Sequence, residues 1–331
     1  MLPAAGVAAL LLLPVVYLVL RTLGAGTEAW DLLFRLRVLQ ILGRTVLLVV
    51  TVSLGSIALA VPLAWLTVRS DLPYRKIWAV LAALPLVIPS YVGGFVVVVA
   101  LGPQGMLQGL LDGPFGIERL PDIHGFPGAF LTITFLSYPY VLLTVRAALQ
   151  RMDPSLEETS RSLGLGPWST FLRVTFLQLR PAIAAGALLV GLYTLSDFGA
   201  VSLLRYETFT WAIFVQYESA LDRTLGAALS LVLVGFALGI VAAESFTRGR
   251  SRYYSSGSGV ARPSVPVRLG RWRWPVVAFC AAVATASLTL PVSILGYWVV
   301  RGVAAGEPLL IVWGNIWNSM YVSALAAVAA V

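Results

Sequence analysis

Apolar positions in this chain come in long unbroken blocks, with no sign of the half-buried alternation of a soluble sheet or the one-sided stripe of a surface helix. A bilayer core takes roughly 20 residues of helix. Runs of about that length, nearly free of charge, cover residues 2–20, 45–68, 77–101, 125–145, 181 to about 204, 225–243 and 274–300. Each is predicted as one membrane-spanning helix. An eighth run starts at Ile316 and stops at Val331 after 16 residues. It reads as a span interrupted by the chain's end, so the chain is expected to be the front part of something longer. The first run lacks the basic start and the short core, about 7–15 residues, of a secretory signal, and is expected to be an uncleaved span.

Composition agrees with the blocks. Of 331 residues, 59% are hydrophobic and 11% charged, against about 25% charged in soluble domains; the mean hydropathy is +0.87. Soluble, disordered and fibrous classes are excluded, and the fold class is an all-α polytopic membrane protein. The net charge of +8 comes almost entirely from arginine. Because those arginines sit in loops between apolar runs, they are read as setting membrane orientation against anionic headgroups of the lipid bilayer, with no nucleic acid as partner.

With the N-terminus in the cytoplasm, the loops after the second, fourth and sixth runs hold 15 of the 23 basic residues. Arg21, Arg35, Arg37 and Arg44 fall on the other side and run mildly against the rule. Residues 247–273, rich in Ser, Gly, Pro and Arg, read as a cytoplasmic basic linker. It divides a first unit, residues 1–246, from a second, residues 274–331, whose pattern loosely repeats the start of the chain and points to internal duplication.

Most catalytic chemistry is missing. No glycine-rich phosphate loop surrounds Lys76, the sole lysine, so ATP is not expected to be hydrolysed on this chain. His124 is the sole histidine and reads as an ordinary loop residue, and Cys280 lies inside an apolar run with no thiol to pair with. Neither a metal nor another cofactor is expected, and the chain is not expected to be an enzyme. The spans carry almost no ionisable groups. Asp197, late in the fifth run, is the exception: it is either a carboxylate near the outer boundary that caps or pairs with a neighbour, or a polar lining residue of a translocation path.

The segment between the fourth and fifth runs, residues 150–180, is the most informative. Ser155 and Glu158 have capping-box spacing, and Glu157 and Glu158 lie where a helix dipole favours anions. Gly164 ends that helix as a left-handed residue would, and Gly166 with Pro167 opens another. On the second helix Trp168, Phe171, Leu172 and Thr175 make one apolar stripe at i, i+3, i+4 and i+7. That stripe needs a cover, either the bundle's own helix ends or a groove on a partner. A short capped helix on a glycine elbow can be gripped and moved as one body.

The segments EETSRSLG and VTFLQLRPAI resemble the EAA signature of the membrane subunits of bacterial ABC importers. Glu158 stands at the motif's Glu, Gly164 at its Gly and Val174 at its Ile; Thr159 and Ser160 replace the two alanines, Phe176 the Leu and Leu177 the Pro. With SDFGAVSLLRYETFTWAIF and RGVAAGEPL, the likeness to the fused double-length ferric iron permeases covers essentially the whole chain. The resemblance implies a MetI-like six-span importer-permease bundle followed by the first spans of a second one, in the bacterial inner membrane. It implies a dimer of ABC ATPase subunits holding ATP and Mg, a periplasmic substrate-binding protein, and alternating access. Glu158 would hold the loop helix and pair with a basic group such as Arg161, Gly164 would form the elbow, and Trp168 and Phe171 would serve either the ATPase groove or packing on the bundle. Ferric iron is the leading cargo; thiamine, polyamines or an inorganic anion are alternatives. An ion-coupled secondary carrier and a membrane scaffold without transport are the readings from other classes.

Overall fold

The computed structural model describes residues 2–24, 35–103, 105–116, 120–153, 155–219, 224–249, 266–307 and 313–330, so most of the basic linker lies outside the described residues. The chain divides into two compact units, Met1–Pro291 and Val292–Val331. The boundary thus falls later than the linker suggested, because the start of the seventh apolar run packs within the first unit.

Helix α1 (Leu2–Leu23) is followed by α2 (Leu36–Arg69). At 1.5 Å per residue the 34 residues of α2 extend about 51 Å, well beyond the roughly 30 Å of a hydrocarbon core. The third run does not form one helix. It divides into α3 (Arg75–Leu81), a 3-10 turn at Leu84–Val87 and α4 (Ser90–Leu101). Pro85 and Pro89 cause the break, since proline lacks the N–H for the preceding turn's carbonyl and its ring clashes there. After α5 (Met106–Phe115) comes α6 (Phe126–Arg151). The short helices α7 (Ser155–Ser162) and α8 (Pro167–Thr170) lead into a π-helical turn at Phe171–Thr175 and then α9 (Phe176–Ser196). The fifth span therefore starts ten residues before Pro181 and ends before Asp197, with α10 (Gly199–Leu203) as a separate helix.

Next come α11 (Phe209–Ser219) and α12 (Thr224–Gly249), then α13 (Arg273–Ala284), a π turn at Thr285–Thr289 and α14 (Leu290–Ala304). Helix α15 (Trp313–Ala330) lies in the second unit. Six helical stretches of the described residues are long and apolar enough to cross a membrane: Leu36–Arg69, Ser90–Gly109, Phe126–Arg151, Phe171–Ser196, Thr224–Ser245 and Gly270–Ala304.

The centre of the first unit is the packing of α2, α6 and α9 on one another. Leu48, Val52, Leu63, Ile133, Leu142, Leu149, Leu179 and Val190 fill it. In lipid, association of helices rests on close contact and hydroxyl hydrogen bonds, since apolar surface gains little by leaving apolar solvent. Both devices are present. The buried hydroxyls of Ser56 and Ser137 lie 3.3 Å apart between α2 and α6. At Gly186, a Cβ on α9 would stand 2.6 Å from Val141 Cα on α6, so only glycine permits this approach. The start of the seventh run joins the same core through Cys280 and Val283, with Tyr138 Oη 3.4 Å from Ser287 Oγ.

Gly186→Leu is expected to destabilise the folded bundle by about 1–3 kcal/mol through overpacking, read as a lower melting temperature in detergent. Gly191→Ala, whose Cβ would meet Val49 Cγ1 at an ordinary 3.6 Å, is expected to melt like the parent.

Candidate coupling site

Helix α7 is bounded at both ends by local chemistry. At its start the Asp153 carboxylate accepts the Ser155 backbone N–H at 3.0 Å. The cap is thus Asp153 in place of the predicted Ser155 and Glu158 box: the helix already includes Ser155, and Glu158 is exposed. Pro154 lies outside the described residues. At its end Gly164 adopts φ +87°, with Leu165 N–H donating to Ser160 O at 3.2 Å and Gly164 N–H to Arg161 O at 3.0 Å. That pair of bonds is a Schellman motif, as the glycine predicted. Beyond it Pro167 opens α8, and the Ser160 and Thr170 hydroxyls, both buried, lie 3.1 Å apart across the elbow.

The carboxylate that fastens α7 to the bundle is Glu157, which is buried. Its Oε1 accepts a 2.9 Å hydrogen bond from Thr175 Oγ1 in the π turn and lies 3.9 Å from Arg69 Nη2 at the end of α2. The same Arg69 nitrogen donates to the Met152 carbonyl just past α6, at 3.3 Å. One buried contact therefore ties the ends of all three core spans to α7. Glu158 and Arg161, expected to pair, are both exposed and form no ion pair among the described residues. On one helical turn, adjacent glutamates point about 100° apart, and the one turned inward makes the contact. The sequence places Thr175 only on the apolar stripe and does not single out Arg69. Arg69 ends an apolar run and reads there as one more boundary charge, so only its burial, 4% exposed, reveals the role.

The predicted apolar stripe is divided. Phe171 lies edge-on to Trp65 of α2, with ring centroids 6.0 Å apart, and also meets Phe176. Thr175 turns inward as well, while Leu172 is 46% exposed. The π turn changes the angle per residue, so the i+3 and i+4 positions of an α-helix no longer share one face. The Trp168 side chain lies outside the described residues. What α7 and the elbow present outward is Leu156 and Leu163, beside Arg161 and Ser162, with Leu172 exposed on the π turn.

At the opposite end of the bundle Asp197 terminates α9 in an extended conformation, and its Oδ1 accepts the Ala200 N–H at 3.0 Å, at the start of α10. Its own carbonyl accepts from Thr210 Oγ1 at 2.6 Å. These are the contacts of a capping residue. Glu207 answers the arginines that ran against the charge rule: Arg44 Nη1 lies 2.8 Å from its Oε2, and Arg37 Nη2 3.9 Å from its Oε1. His124 donates its backbone N–H to Asp122 Oδ1 at 3.0 Å and its ring Nδ1 lies 2.6 Å from the same oxygen. These two bonds hold the Asp122 carboxyl below its usual range. Among the described residues no group of three or more His, Cys, Asp or Glu could hold a metal.

The described residues thus form an apolar helical bundle with a capped, elbow-mounted helix between two of its central helices. The chain belongs to the family described as binding-protein-dependent transport system inner membrane component, whose sequence profile matches residues 56–305. It is 37% identical over 294 residues to the Fe(3+)-transport system permease protein FbpB 2 of Haemophilus influenzae, covering 88% of this chain and 54% of that protein. The chain thus spans about half the length of that relative. It is 32% identical over 191 residues to the molybdenum transport system permease protein ModB of Escherichia coli, covering 56% of this chain and 82% of that one. A crystal structure of a bacterial ABC transporter that imports the acidic polysaccharide alginate shares the fold, with a TM-score of 0.55 at 18% identity over 69% of this chain and 85% of that one.

Glu157→Ala is expected to cost about 3 kcal/mol of stability, because it leaves Arg69 buried without its counter-charge. Glu158→Ala, at an exposed position, is expected to stay within about 0.5 kcal/mol of the parent. Denaturant or thermal unfolding of both variants checks the contrast.

Proposed function

We propose that the chain is part of the translocating membrane subunit of an ABC importer, taking cargo from a periplasmic binding protein while ATP is hydrolysed on a separate dimeric ATPase. The observation that carries this reading is α7 itself. It is capped at both ends, fastened to three core spans through Glu157, and presents Leu156 outward, beside Leu163 of the elbow and Leu172 of the π turn, where an ATPase cleft would grip them. A push on α7 would reach α2, α6 and α9 together, which is what conversion of ATPase closure into alternating access demands. In this reading α7 faces the cytoplasm of a bacterium, the N-terminus lies on the same side, and the chain sits in the inner membrane. The loop arginines support that orientation. Asp197 is read as a structural cap of the α9–α10 corner.

Ferric iron is the proposed cargo, supported by the extent of the match to the ferric permease. An inorganic oxyanion is the second reading, favoured by the match over most of the molybdenum permease.

The test is disulfide crosslinking of Ser162→Cys in a Cys280→Ser background of the full-length protein, co-expressed with the ATPase bearing a cysteine in its cleft. A crosslink whose yield changes with ATP is expected. No crosslink to a folded, co-purifying ATPase, together with uptake that needs only an ion gradient, overturns the proposal. Gly164→Val is expected to insert normally yet lose uptake, since a β-branched residue at positive φ costs roughly 1–2 kcal/mol. Gly164→Asn, which tolerates that conformation, is expected to retain most of it. Radiolabelled ferric ion and molybdate uptake in proteoliposomes separates the two cargo readings.

A further inference from the structure

We propose that a cavity at the Arg69 end of α2 is a binding site for the headgroup of an anionic phospholipid. The cavity, of about 530 Å³, is lined by Ser70, Asp71, Tyr74, Arg75, Lys76 and Pro266, among others. It lies where the apolar run of α2 ends, and the chain there is tied by backbone hydrogen bonds. Asp71 N–H donates to Val267 O at 3.1 Å, Val267 N–H to Arg69 O at 2.8 Å, and Leu269 N–H to Asp71 Oδ1 at 2.8 Å. These bonds bring residues 266–269 against residues 69–71, so the cavity has a wall from each segment. Its remaining wall begins at Tyr74, whose left-handed conformation (φ 55°) turns the chain into α3.

The electrostatics are one-sided. Arg75 and Lys76 are exposed and form no ion pair among the described residues. The single acid of the lining, Asp71, already has Oδ1 engaged by the Leu269 N–H. Arg268, Arg271 and Arg273 are exposed along the segment that follows Val267. A cation cluster alone would suit any anion, but the lining also carries uncovered apolar surface. Tyr74 and Ile77, which line the cavity, are 77% and 55% exposed, and Trp272 and Trp274 are exposed on the segment that follows Val267. A free phosphate satisfies the cations and leaves Tyr74 and Ile77 in water. A lipid satisfies both, with its phosphate between Arg75 and Lys76 and its glycerol and upper acyl chains against Tyr74 and Ile77. Tryptophan, tyrosine and basic side chains gather at the headgroup level of bilayers for this reason. The site is independent of whether α7 couples to an ATPase.

The test compares melting of the full-length protein in nanodiscs of phosphatidylcholine alone and of phosphatidylcholine mixed with phosphatidylglycerol. The parent is expected to gain at least about 3 °C from phosphatidylglycerol. The double variant Arg75→Gln, Lys76→Gln is expected to match the parent in phosphatidylcholine and to lose more than half of the gain. The charge-keeping exchange Arg75→Lys, Lys76→Arg stands in if the neutral double variant folds poorly and is expected to change the gain, while Arg161→Gln on exposed α7 retains it: loss of the gain in Arg161→Gln, or an unchanged gain in both the exchange and the neutral variant, refutes a specific headgroup site. Equal gains in the parent and the neutral variant, or no gain in the parent, overturn the proposal. An equal rise with inorganic phosphate in phosphatidylcholine nanodiscs also overturns it, in favour of a free-anion site.

Discussion

The contact between Glu157 and Arg69 organises the end of the bundle at which α7 sits. Removing two ions from water is costly, and the cost is repaid only where the charges meet and their remaining groups find partners. Here Glu157 also accepts from Thr175 and Arg69 donates to the Met152 carbonyl. The four residues belong to α7, the end of α2, the π turn before α9, and the turn after α6. A displacement of α7 that kept this contact would have to carry all three spans with it. A displacement that broke it would leave two buried charges unpaired.

The spans that receive this contact are the ones most closely packed. Helices α2, α6 and α9 approach through a glycine and a pair of serines, the kind of contact that holds helices together when the surrounding solvent is itself apolar. Around them the chain is broken wherever proline or a polar cap interrupts it: the third apolar run at Pro85 and Pro89, the fifth at Asp197. At the second of these breaks the Asp197 carboxylate accepts the Ala200 N–H and its carbonyl accepts from Thr210, so the non-helical backbone keeps hydrogen-bond partners, the condition under which membranes tolerate it. The family match covers most of this core, and the alginate transporter shares its fold.

Much of the fold was legible in the sequence. Continuous apolar runs require helices in lipid, and the runs at residues 45–68, 125–145 and 225–243 became α2, α6 and α12 with their ends extended by several residues. The elbow was legible because a left-handed residue is a local requirement that glycine meets, and Gly164 meets it at φ +87°. The arginines that contradicted the charge rule were illegible in part: Arg37 and Arg44 face Glu207, more than 160 positions away along the chain.

What the sequence by itself determined about this protein is therefore what neighbouring residues decide among themselves: which stretches are helical and apolar, where glycine or proline turns the chain, and which loops carry charge. Only the tertiary structure decided that Glu157 and not Glu158 faces inward, that Phe171 packs on Trp65, and that the start of the seventh run joins the first unit's core. The physical reason is that backbone conformation is governed over one or two helical turns, whereas the worth of a charge or a ring depends on what lies across the interface from it. Two adjacent glutamates are chemically identical until one of them is turned toward a buried arginine.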